Sequence, residues 1–220
     1  MGEIAENYRR LRQEIPDEVE IVAAAKTRSP AEIRQAMDAG VSAIGQNYVQ
    51  EAEAAFDLLG ERATDVEWHL IGHLQRNKVN RSLPLFDTIQ SLDSRRLARA
   101  LDKRAEGPVK VFAQVNIAGE ESKYGIAPEE TRAFLEDVSG LENLCIQGLM
   151  TMEPYFEEPE RARPYFQRMK RLFDSLCEEA LPNVELDILS MGMSNSYRVA
   201  IEEGANMVRL GTAIFGPREH

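Results

Sequence analysis

Cysteine is scarce in this sequence, with only Cys145 and Cys177 among 220 residues. Two thiols cannot staple a scaffold. With no secretory context the expectation is two reduced core thiols, one on a strand and one on a helix's apolar stripe. Long apolar runs are missing as well: no stretch approaches the ~20 residues that a membrane-spanning helix needs. The opening Met1–Glu6 lacks the charged-then-apolar shape of a signal peptide, and Glu6 stands where a myristoylation signal wants Ser or Thr. A soluble, cytoplasmic protein is the expectation. Positive charge is in short supply, 26 Lys and Arg against 37 Asp and Glu, for a formal net charge of −11. That argues against a nucleic-acid partner, which requires a basic surface. A local anion site stays open, because backbone amides at a helix start create one whatever the net charge. There is no Pro/Gly/Ser-rich linker and no low-complexity segment, so residues 1–220 are expected to form a single domain.

What is present is alternation. After a first helix over about residues 1–14, short apolar runs mark strands at Glu20–Ala25, Ala43–Gly45, Glu67–Ile71 and Thr88–Ser91. Four more follow at Val109–Val115, Cys145–Leu149, Glu185–Ser190 and Met207–Leu210. Between them the period becomes helical. Ile33, Ala36 and Met37 form one stripe, and Phe166, Met169, Phe173, Leu176, Cys177 and Ala180 form another. Ser29-Pro30-Ala31-Glu32 reads as a capping box with Pro at the first helical position, and Gly40 reads as a stop. Eight strand–helix units predict an α/β fold, a single (β/α)8 TIM barrel near its lower size limit, with a doubly wound open sheet as the competitor.

Lys26 closes the apolar run Ile21–Ala25, at the carboxyl end of a strand, where such barrels carry their chemistry. Desolvation there would favour the neutral amine that attacks a carbonyl, although a strand-end lysine reaching solvent explains the segment equally. A second signal lies in the last quarter. Leu189–Ser194 leads into a helix expected over Asn195–Glu203, with Gly192 allowing close approach of a ligand and Ser194 capping the helix. One strand later, Gly211-Thr212 offers small residues and bare amides. Loops after strands seven and eight are the usual phosphate cradle of these barrels. Arg209 shares a strand face with Met207 and Gly211, so it is expected to point into the barrel, towards a ligand or an acidic partner. The ligand so described has a carbonyl at one end and a phosphate at the other.

Eight ordered stretches resemble the pyridoxal phosphate homeostasis protein family: Val22–Thr27, Ile44–Glu51, Trp68–Lys78, Gln114–Ile117, Glu121–Gly125, Gly148–Met150, Leu189–Ser194 and Val208–Gly216. The resemblance runs from about Ile21 to Arg218. It implies a barrel like the amino-terminal domain of alanine racemase, a monomer, and a site for pyridoxal 5′-phosphate (PLP) held as a Schiff base on Lys26. By the same resemblance Ser194, Gly211 and Thr212 hold the phosphate, Gly192 shapes the turn, Arg209 faces the pyridine nitrogen, and Asn47 lies near the ring hydroxyl. Gln46 departs from the pattern, where the family often has Glu, as does Ser196, where it often has Asp.

An arginine at the pyridine nitrogen weakens PLP as an electron sink. A two-base racemase also needs a second acid/base, which in alanine racemase comes from a domain absent here. The expectation is therefore a protein that buffers PLP or hands it to apo PLP-dependent enzymes, with no robust catalysis. The alternatives are a PLP-dependent amino-acid racemase and a Schiff-base aldolase acting on a phosphorylated sugar. A metal-dependent hydrolase using His69 and His73 is a further reading, for which the sequence offers no third ligand; no metal is expected. Trp68 is expected to pack under the barrel or at a loop base, Lys123 to be solvated, and the basic residues of 161–171 to form a solvated helix face.

Overall fold

The fold is described from a computed structural model, which covers residues 2–120, 123–178 and 180–217. Glu121, Ser122 and Arg218 of the stretches above lie outside the described residues. The elements run α1 (Glu3–Glu14), β1 (Glu20–Ala24), α2 (Pro30–Asp38), β2 (Ala43–Gln46), α3 (Val49–Leu59), β3 (Glu67–Leu70), α4 (Val79–Ser82), β4 (Thr88–Leu92) and α5 (Arg95–Arg104). They continue with β5 (Val109–Val115), α6 (Thr131–Val138), β6 (Leu144–Thr151), α7 (Arg163–Cys177), β7 (Val184–Met193), α8 (Tyr197–Glu202), β8 (Met207–Leu210) and α9 (Thr212–Phe215). Each strand pairs in parallel with the next, and β1 also pairs with β8. The sheet is a closed barrel, which rules out the open-sheet alternative.

Strands buried on both faces read as continuous apolar runs, which is why the alternation was visible. Their outward residues meet the helices in one large core, while Val22, Ala43, Ile71, Phe112, Met150 and Met207 form a smaller cluster inside the barrel. The Ser29–Glu32 capping box is present, and Gly40 takes φ +97 to end the first unit. The Trp68 side chain on β3 packs against Phe56, its indole N–H donating to the Ala63 carbonyl at 2.8 Å. Among the described residues no helix is long and apolar enough to cross a membrane.

Three expectations need correction. The α7 stripe ends at Cys177, because Pro182 disfavours helix just beyond, and Ala180 is exposed. Neither thiol belongs to the core: Cys145 is half-buried, and Cys177 is exposed with its S–H donating to the Leu186 carbonyl. The helix expected over Asn195–Glu203 is shorter, because Ser194 and Ser196 spend their hydroxyls elsewhere.

Candidate functional site

The carboxyl ends of the strands surround a cavity of about 300 Å³. Six of the residues singled out in the sequence line it: Lys26, Asn47, Ser194, Arg209, Gly211 and Thr212. They arrive from loops after β1, β2 and β7, from β8, and from the turn that follows it. Lys26 sits two residues beyond β1, which ends one residue sooner than expected. The next residue, Thr27, has φ 64. A β-branched residue in that region is strained by about 1–3 kcal/mol, and the sharp turn sends the chain away from the mouth directly after Lys26.

Gly192 does not line the cavity. Its φ is +92, and a Cβ there would lie 2.5 Å from the Ala200 Cβ and 3.2 Å from the Tyr197 Cα. It brings β7 against α8 and so shapes the turn rather than meeting a ligand. Asn47 is fixed in a comparable way by a neighbouring loop, since a Cβ on Gly72 would fall 2.3 Å from the Asn47 carbonyl oxygen.

Ser194 does not cap α8. Its Oγ crosses to the next loop and accepts from the amides of Gly211 (3.0 Å) and Ala213 (3.2 Å). Two N–H groups thus converge on one oxygen at the cavity wall, the arrangement that binds oxyanions. The Ser194 hydroxyl proton is left to donate to whatever lies beside it.

Arg209 is buried. It donates to the Ser190 Oγ (2.6 Å) and to the Thr151 carbonyl (2.6 Å), both neutral oxygens. Burial pushes its guanidinium down to about 10 while Glu153 pulls it up, so it remains a cation at neutral pH. Its support continues inward. The Ser190 hydroxyl donates to the Gln90 Oε1 (2.7 Å), and the Gln90 amide meets the Met207 sulfur (3.2 Å) and the His69 Nδ1 (2.9 Å). A buried polar chain therefore runs from the cavity down the barrel axis.

Glu153 escaped the sequence reading because strand six was expected to stop at Leu149, leaving this residue to an unremarked loop. β6 reaches Thr151, and Glu153 follows in the cavity wall, only 4% exposed. The Ser196 hydroxyl donates to its Oε1, and the Ser196 Oγ in turn accepts the Met193 amide. The Glu153 Oε2 is buried without a hydrogen-bond partner. The departure at Ser196 thus has a structural counterpart: a carboxylate stands beside this position, supplied by the β6 loop. Gln46 is buried behind β2 with its own Oε1 unpartnered, away from the cavity lining.

The two histidines part company. His73 accepts or donates through Nδ1 to Asp93 (2.7 Å) and stacks on Tyr124 at 3.7 Å, whereas His69 points into the barrel. They share no ligand. Lys123 pairs with Glu120 rather than standing solvated, and Arg163, Arg168 and Lys170 on α7 are ion-paired with neighbouring carboxylates.

Residues 1–219 match the family model for the alanine racemase N-terminal domain. The pyridoxal phosphate homeostasis protein of Aquifex aeolicus is 43% identical over 203 residues, covering 91% of this chain and 87% of its own. The chain belongs to the pyridoxal phosphate homeostasis protein family. Another neighbour in fold is PipY of Synechococcus elongatus, whose PLP-bound structure matches with a TM-score of 0.88 at 35% identity, over 97% of this chain and 100% of PipY. Alanine racemase of Clostridium difficile shares the barrel alone, with a TM-score of 0.78 at 16% identity; the match covers 99% of this chain and 56% of that one. The buried cation, the converging amides and the cavity lysine thus sit on a barrel of the alanine racemase N-terminal fold.

Proposed function

We propose that this protein holds PLP as a Schiff base on Lys26 and buffers or delivers the cofactor, without robust turnover of its own. The observation that carries the reading is the set of groups around one cavity: Lys26, the Arg209 cation, and the Gly211 and Ala213 amides converging beside Ser194. These residues fit the cofactor. Lys26 would condense with the aldehyde, forming the C=N bond and releasing water. The Ser194 hydroxyl, held by the two converging amides, and the Thr212 hydroxyl would receive the phosphate oxygens, and Asn47 would lie beside the ring. PLP supplies a ring that can withdraw electrons from a bound amine. Arg209 limits that capacity, because a fixed cation beside the pyridine nitrogen opposes its protonation. A relative named for PLP homeostasis and the PLP-bound PipY support the same assignment. Acceptors would be apo forms of PLP-dependent enzymes.

A second reading, an amino-acid racemase, has Glu153 in its favour. Its buried carboxylate brings a second titratable group to the cavity wall without any partner domain. An absorption spectrum taken before and after borohydride, with Lys26→Ala alongside, tests the first reading. A visible band that borohydride removes and the variant lacks is expected. Absence of the band after added PLP would overturn PLP binding. A Lys26-dependent racemase rate of ordinary enzyme size, lost in Glu153→Gln, would replace the carrier by the enzyme.

A further inference from the structure

The opposite end of the barrel holds a group of side chains that PLP binding does not use. Glu20 opens β1, Glu67 opens β3, and His69 lies two residues further along β3 on the same face as Glu67. One ligating atom from each lies within 4.8 Å of the others. Glu20 is half-buried and Glu67 exposed, while His69 is 1% exposed. The His69 Nδ1 is taken by Gln90, but its Nε2 has no hydrogen-bond partner. The Glu67 Oε2 lies 3.6 Å away, too far for an ordinary hydrogen bond. A buried ring nitrogen thus faces two carboxylates and is bonded to neither.

We infer that Glu20, Glu67 and the Nε2 of His69 form a binding site for a divalent transition-metal ion, of which zinc is the test case. The donor set of one imidazole and two carboxylates suits a borderline ion. Around a tetrahedral zinc, ligands at ~2.0–2.2 Å stand ~3.3 Å apart, so the 3.6 Å already separating His69 from Glu67 needs little change. Three protein ligands leave a fourth position for water, entering from the side on which Glu67 is exposed. The competing cation is Lys110, whose Nζ lies 4.0 Å from the Glu67 Oε1 and whose half-exposed side chain is able to swing into solvent.

Coordination at Nε2 places the ring hydrogen on Nδ1, which then needs an acceptor. Turning the Gln90 amide over supplies one, as the oriented second ligands of metal-bound histidines do. That turn exchanges the atoms Gln90 presents to Ser190, the residue beneath Arg209. Metal occupancy at one mouth would thereby be felt at the cavity in the other.

The test is zinc titration of chelator-treated protein against a chromophoric chelator, with thermal melts in parallel. The expected result is one zinc per chain and a melting temperature that rises with zinc concentration. Glu20→Gln and Glu67→Gln should each weaken binding about tenfold or more, and Lys110→Ala should strengthen it. Both Gln variants keep side-chain shape at half-buried or exposed positions, so the inference does not depend on a His69 variant folding. Absence of zinc binding, or binding that neither Gln variant changes, would overturn the site. The second result would assign zinc to groups such as Cys177 or the His73–Asp93 pair. None of these outcomes depends on PLP, so failure here leaves the cofactor reading untouched.

Discussion

Close backbone approach places some residues around this cavity, as side-chain hydrogen bonds place Ser194 and Arg209. Gly72 is an instance. It has no ligand to meet, yet a Cβ on it would lie 2.3 Å from the Asn47 carbonyl oxygen and 2.7 Å from the Asn47 Cα. Backbone cannot yield as a flexible side chain does, so Gly72→Ala forces apart the loops after β2 and β3. The expected cost is about 1–3 kcal/mol of stability, the range for overpacking, with weaker PLP binding because Asn47 moves from the cavity wall. Urea midpoints and a spectral PLP titration would check it, and wild-type values in both would mean that the loops separate freely. The same scale shows what could be read from sequence and what could not. Lys26, Ser194, Gly211 and Thr212 were legible from a strand end or a small-residue turn and Arg209 from its strand face, whereas Asn47 entered only through the family resemblance. The role of the Ser194 hydroxyl was not, because its amide partners lie seventeen and nineteen residues away across the strand gap, where no local cap rule reaches. Glu153 was missed for a different reason: an apolar run does not reveal whether the chain beyond it still follows the barrel wall.

At the scale of elements, α1 is an addition to the eight units, and its attachment is electrostatic as well as apolar. Ile4, Tyr8 and Leu11 are buried against the barrel's helices, and the Asn7 amide donates to the Ile214 carbonyl. At its far end Glu14 receives Arg198 and the Tyr197 hydroxyl, both on α8. The Arg198 guanidinium, assisted by Tyr197, holds the Glu14 carboxyl below its ordinary range against the opposing effect of burial. Burial, and then Glu14, pushes the Tyr197 hydroxyl up to about 12. A carboxylate held low in the folded state contributes stability above its ordinary value of 4.5 and loses it as pH falls through the lowered one. Glu14 is largely exposed, so the effect is modest and screened by salt. Melting curves of wild type and Glu14→Gln should differ most near neutral pH and converge well below pH 4.5. Comparing the two chains cancels the other carboxylates. Parallel curves at all pH values would mean that the α1–α8 contact adds nothing. Helices followed from period and caps and were misplaced where a hydroxyl or a proline intervened, whereas the ends of β1, β6 and β7 departed from the apolar runs that marked them.

At the scale of the whole molecule, a chain of polar side chains runs through an otherwise largely apolar barrel interior. The upper end carries Arg209 at the cavity, the lower end carries His69 facing Glu67 and Glu20, and Ser190 and Gln90 join them. Gln90 touches both halves, since its two amide atoms serve Ser190 on one side and His69 and Met207 on the other. Gln90→Leu preserves volume roughly but leaves the Ser190 hydroxyl and the His69 Nδ1 buried without these partners. Two such groups cost about 2–4 kcal/mol together, and Arg209 would keep the Thr151 carbonyl while its Ser190 partner becomes free to rotate. The expected outcome is a lower urea midpoint together with weaker PLP binding, while the borohydride-sensitive band on Lys26 persists at saturating PLP. A purely structural Gln90 would lower the midpoint and leave the PLP titration unchanged, and Arg209 would then be oriented by Thr151 alone. Loss of both together would identify the chain of hydrogen bonds, rather than any one strand, as what fixes the Arg209 cation at the cavity.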